Sequence, residues 1–197
     1  KYKQMKLNSN YWEDRYHSNE IGWDTGEITK PLKEYVDQLE DKSIRILIPG
    51  CGNGYEFEYL INKGFQNSFV VDYAQTPIAN LKKRIANCHL NQCIQADFFE
   101  HQGSYDLILE QTFFCALEPE LRVQYLKKML SLLSPKGKLA GLLFQFPLTE
   151  VGPPFGGSIE EYLNLFSADF DIKILETAYN SIKPREGNEL FFIFTKK

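Results

Sequence analysis

The chain lacks any apolar run approaching the ~20 residues that cross a bilayer. Its first residues show no signal-peptide pattern. Together these predict a cytoplasmic protein with no membrane partner. Histidine and cysteine are scarce: His17, His89 and His101, with Cys51, Cys88, Cys93 and Cys115. No two cysteines form a C-x-x-C pair, and the histidines complete no ligand set, so the reading is reduced structural thiols and no metal. Cys88, His89 and Cys93 as a metal nest is the weaker alternative. There is no excess of basic charge either. The 22 Lys and Arg face 26 Asp and Glu, for a net charge of −4. Phosphate backbones select basic faces, so this balance argues against DNA or RNA as a partner. Repeats and low-complexity segments are absent.

What is present is one domain's worth of core. The 197 residues are 43% hydrophobic and include 15 Phe and 11 Tyr. That length predicts a single domain over 1–197. Residues 1–40 read as a polar, aromatic segment, and 44–197 as a sheet core. Asn10 and Glu13 have capping-box spacing for a helix over 10–17. Pro31 opens a second helix through LKEYVDQL. A strand–helix alternation then begins: IRILI (44–48), a helix at 55–62, NSFVVDY (67–73), and a helix from Thr76 with Ile78, Leu81 and Ile85 on one face. QCIQAD (92–97) and YDLILEQ (105–111) are strands. A helix opened by Pro119 carries Val123, Leu126, Leu130 and Leu133 as a stripe. SPKG (134–137) ends it before the strand KLAGLLF (138–144). A long Pro/Gly loop (145–157) follows, then a capping box at Ser158 and Glu161 with a helix to about Phe166. FDIKILET (170–177) and ELFFIFT (189–195) are adjacent strands without an intervening helix, so they pair antiparallel. The fold class is α/β: a mostly parallel seven-stranded sheet with helices on both faces and one antiparallel edge strand.

Ligands of such sheets sit beyond the carboxyl ends of the strands. The first strand ends at Pro49, so Gly50, Gly52 and Gly54 lie where a ligand meets backbone. Asp72, 18 residues past Gly54, ends the second strand, where a carboxylate can accept both ribose hydroxyls. A dinucleotide fold requires G-x-G-x-x-G, with a glycine over the pyrophosphate. Tyr55 occupies that third place. The observed G-x-G-x-G suits a ligand without pyrophosphate, such as S-adenosylmethionine (SAM). Asp97 can reach an adenine amino group and Phe98 can lie against the ring. Glu110-Gln111-Thr112 ends the fourth strand and faces the methionine portion and the methyl group. An NAD(P)-dependent oxidoreductase and a SAM-binding protein without catalysis are the alternative functions. Pro147, Pro153, Pro154 and Phe155 would form an apolar wall on the rim, and Arg122 would face solvent or pair with Glu118.

YWEDRYHSNEIGWDTGEITKPL (11–32), LIPGCGNGYE (47–56), FVVDY (69–73), ADFFE (96–100), FFCALEPELR (113–122) and GPPFGGSIEEY (152–162) together resemble the thiopurine S-methyltransferase family. The FFCALEPE stretch is closer to its halide/thiol methyltransferase branch. The resemblance implies a Rossmann-like class I methyltransferase fold, SAM as methyl donor with S-adenosylhomocysteine (SAH) as product, a small-molecule acceptor and a monomer. It also implies that aromatics of the N-terminal segment cover SAM. Trp12 and Trp23 match tryptophans of that pattern, and Tyr16 stands where the plant branch usually has Trp. Gly50 matches the glycine at the methionine part, Asp72 the ribose acid, and Asp97 with Phe98 the adenine-side pair. Gln111 sits where the plant branch has Tyr and the thiopurine enzymes have Arg, so acceptor preference does not carry over. The implied acceptor is a small soft nucleophile: a thiol, thiopurine, halide or related anion. A dedicated general base is not evident.

Overall fold

The computed structural model describes residues 7–85 and 90–197; Cys88 and His89 of the metal alternative lie outside them. The helices are α1 (Ser9–His17), α2 (Lys30–Asp37), α3 (Tyr55–Asn62), α4 (Gln75–Arg84), α5 (Arg122–Leu132) and α6 (Ile159–Phe166). The strands are β1 (Ile46–Pro49), β2 (Ser68–Asp72), β3 (Cys93–Gln95), β4 (Tyr105–Gln111), β5 (Leu133–Phe144), β6 (Phe170–Thr177) and β7 (Glu189–Lys196). They form one seven-stranded sheet in the order β3-β2-β1-β4-β5-β7-β6. β3, β2, β1, β4 and β5 run parallel, while β7 runs antiparallel to both β5 and β6. The mostly parallel sheet with an antiparallel edge pair is therefore as expected. The reversed member is β7, one place in from the edge, because β6 takes the outer position and β7 turns back between it and β5.

Strand alternation divides the core into two layers. Leu47, Ile108, Leu139, Phe192 and Phe194 face α5 and α6, where Tyr125, Met129, Tyr162 and Phe166 meet them. Ile46, Ile48, Leu107, Leu109 and Ala140 face Val36, Phe57, Leu60, Ile78 and Leu81 of α2, α3 and α4. Both layers hold the carboxyl ends of β1, β2 and β4 at one rim, which is the rim that carries the glycine turn.

Three local expectations need correction. The cap of α1 is Asn8, whose side chain accepts from the Tyr11 amide at 3.0 Å, and not Asn10. The buried stripe of α5 is Arg122, Tyr125, Leu126, Met129 and Leu132, with Val123 exposed. The chain between Glu118 and Arg122 opens as a 3-10 turn, which rotates the face relative to a helix begun at Pro119. Leu133 accordingly starts β5 instead of ending the helix. SPKG is a register break within that strand, between Tyr105↔Leu133 and Leu107↔Lys138, with Lys136 at φ +62°. Ser158 does cap α6, accepting from the Glu161 amide at 3.2 Å.

Candidate active site

The glycine turn is built by conformation. Gly50, Gly52 and Gly54 have φ of +56°, +52° and +68°, the left-handed region that glycine enters without penalty. Asp72 fastens the turn: its Oδ2 accepts from the Gly52 amide at 2.9 Å and its Oδ1 from the Ala74 amide at 2.9 Å. Burial raises the Asp72 pKa, and those backbone donors counter it. Gly54 N–H closes the turn on the Cys51 carbonyl at 2.9 Å.

The N-terminal segment lies directly over this turn. Glu13 of α1 accepts from the Gln75 amide at 2.9 Å and the Thr76 amide at 3.2 Å, and also from the Thr76 hydroxyl. It therefore caps α4, whose own N-cap residue, Ala74, has no side-chain acceptor to offer. Ser9 donates to the Tyr73 carbonyl at 3.0 Å. With α1 held there, Trp12 and Trp23 meet edge to face at 5.5 Å, and Tyr16 and Trp23 at 5.7 Å. A Cβ placed on Gly52 would lie 3.1 Å from the Tyr16 hydroxyl and 3.8 Å from the Trp23 indole nitrogen. Burial, then the nearby Asp72 carboxylate, pushes the Tyr16 phenol pKa up. Two further ties fix the segment. Asp24 accepts from the Asn53 side chain, and the Arg185 Nη2 donates to the Trp23 carbonyl at 2.8 Å.

A cavity of about 40 Å³ opens between segment and turn, bordered by Trp23, Gly50, Gly52, Tyr55, Glu56 and Gln111. Gln111 accepts from Thr29 Oγ1 at 3.1 Å, and its Nε2 is buried with no hydrogen-bond partner among the described residues. Thr112, the next residue, has φ +56°, a conformation that a β-branched side chain resists. Glu56 sits on the first turn of α3, and its burial pushes the carboxyl up to about 7. A second cavity of about 10 Å³ shares Thr112 with the first and is lined also by Cys115, Leu142, Leu143, Phe144 and Glu189.

The structure thus brings Trp12, Tyr16, Trp23, Gly50, Gly52, Gly54, Asp72 and Gln111 to one rim. Asp97 is close by in chain order, half-buried after β3, with its carboxylate accepting from the Phe99 amide at 2.8 Å. Phe98 differs from expectation. It is 5% exposed and packs against Phe113 at 5.0 Å and Tyr125 at 6.1 Å, as part of the core beneath the rim. Glu110, expected to face the methyl group, is fully buried and binds structure instead. Its Oε1 accepts from the Phe113 and Phe114 amides and its Oε2 from Tyr125, each within 2.8 Å. Arg122 does not pair with Glu118: it is buried, donates to the Gly156 carbonyl at 2.6 Å and lies over Phe114. Of the apolar loop, Phe155 is buried with its amide on the Cys115 carbonyl at 2.7 Å, whereas Pro147 and Pro154 are exposed. Thr29, Glu56, Arg185 and Glu189 were not anticipated. Glu56 carried a signal, an acid inside the apolar face Phe57, Leu60, Ile61 of α3. Arg185 and Glu189 carried none: they pair with each other at 3.3 Å across a loop, and Arg185 reaches the Trp23 carbonyl from a distant segment. Among the described residues no group of His, Cys, Asp or Glu is arranged to hold a metal. No described helix is long and apolar enough to cross a membrane.

Known structures share this architecture. Over 96% of the chain it superposes on 87% of a 1,6-didemethyltoxoflavin-N1-methyltransferase from Burkholderia thailandensis, with TM-score 0.75 and 17% identity. It also superposes, over 100% of both chains, on a magnesium protoporphyrin IX methyltransferase from Synechocystis with bound SAM, with TM-score 0.70 and 11% identity. The fold is that of the Rossmann-like, class I SAM-dependent methyltransferases. The family profile described as Thiopurine S-methyltransferase (TPMT) matches residues 7–194, so the chain belongs to that family and is a SAM-dependent methyltransferase. A probable thiol methyltransferase 2 of Arabidopsis thaliana is 29% identical over 90% of this chain and 81% of its own length. A thiocyanate methyltransferase 1 of Brassica oleracea is 28% identical over 90% and 81%. A thiopurine S-methyltransferase of Nitrosospira multiformis is 26% identical over 86% of each.

Proposed function

We propose that the chain transfers the SAM methyl group by in-line displacement to a small soft nucleophile of the thiol, thiopurine or halide type. The observation that carries this reading is the Gly52 turn, bolted by Asp72 and roofed by Tyr16 and Trp23. The residues fit SAM. The turn presents backbone on a face covered only by side chains, and Gln111 Nε2 is a buried donor without a partner among the described residues. The space between segment and turn is small beside a nucleoside, so α1 and the stretch through Trp23 move aside when the nucleoside enters, while α2 stays packed on the sheet. SAM supplies a methyl group on a cationic sulfur that leaves as a neutral thioether.

The chain's own residues bind, orient and exclude water. Trp12 and Trp23 offer indole faces to the cation, a contribution of ~1–2 kcal/mol once desolvated. Asp72 accepts the ribose hydroxyls while keeping its hold on the Gly52 amide. Asp97 takes the adenine edge, and Phe98 supports that position from beneath. Gln111 donates at the border between the methionine portion and the acceptor. Closing the aromatic lid strips water from the nucleophile and aligns it opposite the departing sulfur. Calorimetry with SAH tests the site: Asp72→Ala is expected to weaken binding at least about tenfold. An unchanged affinity would remove the ribose assignment. A panel of thiols, thiopurines and halides with labelled SAM tests the acceptor class.

A further inference from the structure

We propose that Glu56 takes the α-ammonium group of SAM and SAH, so that its carboxylate selects an adenosine carrying a whole amino acid. The proposal rests on the methyl-transfer reading above and adds a residue to the cofactor side of that same site. Charge around the cavity between the N-terminal segment and the glycine turn leads to it. That cavity borders two carboxylates, Asp24 and Glu56, and no Lys, Arg or His.

Asp24 is committed. It accepts from the Gly26 amide at 2.7 Å, from the Asn53 side chain and from the Tyr55 hydroxyl at 3.5 Å. Glu56 is not. It is 6% exposed, and among the described residues the one hydrogen bond to its carboxyl comes from its own backbone amide. It enters no ion pair among them. Arg185 is the one positive group that favours its ionised form. That guanidinium already serves Glu189 at 3.3 Å and the Trp23 carbonyl at 2.8 Å. A buried carboxylate without a close counter-ion is costly, and an arriving cation removes the cost.

The same cavity borders Gln111, whose Nε2 is buried with no partner among the described residues. Thr29 Oγ1 donates to its Oε1 at 3.1 Å, which leaves Nε2 as the end of the amide open to a ligand. A buried carboxylate and a buried donor on one cavity match the two ends of an α-amino acid, ammonium to Glu56 and carboxylate to Gln111. An adenosine without the amino acid would leave both unmet. Methyl transfer does not alter the ammonium group. Glu56 therefore holds substrate, transition state and product alike, and it sets affinity without lowering the barrier to transfer.

The test measures binding of SAM, SAH and deaminated SAH, in which hydrogen replaces the α-amino group. Calorimetry is run on the natural chain, Glu56→Gln and Glu56→Asp. The natural chain is expected to bind SAH at least about tenfold more tightly than deaminated SAH. Glu56→Gln is expected to bring that ratio within about twofold. It should do so by weakening SAM and SAH alike while binding deaminated SAH as tightly as before, which also shows that the variant is folded. Glu56→Asp, which keeps the charge on a shorter side chain, is expected to retain part of the ratio. A natural chain that binds SAH and deaminated SAH equally would overturn the proposal. So would a Glu56→Gln chain that keeps the full ratio, or one that loses all three ligands equally. Loss of SAM without loss of SAH would overturn it too, since the carboxylate would then serve the sulfonium. If none of the three ligands binds the natural chain, the methyl-transfer reading beneath it fails instead.

Discussion

At Gly50 a single methyl group would have nowhere to go. Its φ is +56°, and an added Cβ would stand 2.1 Å from the Phe113 ring. Gly26 has φ +74° but open space around it. Gly26→Ala is therefore expected to cost about 1 kcal/mol from backbone strain alone. Gly50→Ala should cost at least about twice that, since the Phe113 side chain must move as well. Denaturant midpoints of the two variants measure the difference. This need for glycine was plain in the sequence, because three glycines at alternate positions after a buried strand mark a backbone that side chains would obstruct. The place of Asp72 was plain too, because a strand end is a fixed place, but its bonds to the Gly52 and Ala74 amides were not. Phe98 was misjudged because an aromatic beside a site and an aromatic under it look alike in one dimension. Glu110 was misread in the same way. A strand-end acid can face the ligand or turn back to hold the loop, and here it satisfies two amides and a buried tyrosine.

The N-terminal segment is fastened at two places by charged side chains. At one of them Glu13 caps α4. Burial raises the Glu13 pKa, but the hydrogen bonds from Thr76 and Gln75 outweigh it and hold the carboxyl below its ordinary value. A depressed folded-state pKa means stability present above the ordinary carboxylate range and lost as pH falls through the folded value. Lid docking is therefore expected to loosen in acid. Both tryptophans of the chain, Trp12 and Trp23, lie in this segment, so intrinsic emission should shift red as pH falls, and Glu13→Ala should show the shift already at neutral pH. The Glu13→Ala cost in stability is expected near 1 kcal/mol. At the other, Arg185→Met would free the Trp23 carbonyl and strand the Glu189 carboxylate in the interior. Breaking a buried pair this way costs about 3–5 kcal/mol, and thermal unfolding reads it. Elements as such were legible; α3, β4 and β6 have the boundaries read from the sequence. The face of α5 was not, because a 3-10 turn at Pro119 shifts its phase and a single sequence carries no mark of that turn.

Across the whole molecule, two interior carboxyls set a pH slope. Burial pushes both Glu56 and Glu110 up to about 7 from the ordinary 4.5. Because the folded chain holds these protons more tightly, their contribution is most favourable below pH 4.5 and is lost progressively as pH rises to about 7. Each adds a slope of at most roughly 1.4 kcal/mol per pH unit in that window. Glu110→Gln is expected to flatten the curve. Its amide oxygen can still accept from Phe113 and Phe114 while its nitrogen donates to Tyr125. Chemical denaturation at several pH values checks this. The mostly parallel sheet was legible from the strand–helix rhythm. The place of β7 was not, since alternation gives strand identity but no lateral order.

That place has a consequence during synthesis. Of the seven strands of this sheet, the one made last, with Phe191 to Phe194 among its residues, must wedge between β5 and β6. Until it arrives, β5 presents a bare apolar edge and β6 has no neighbour at all, so the nascent chain carries two sticky borders at once. Half-made copies should consequently depend on chaperone cover far more than finished ones.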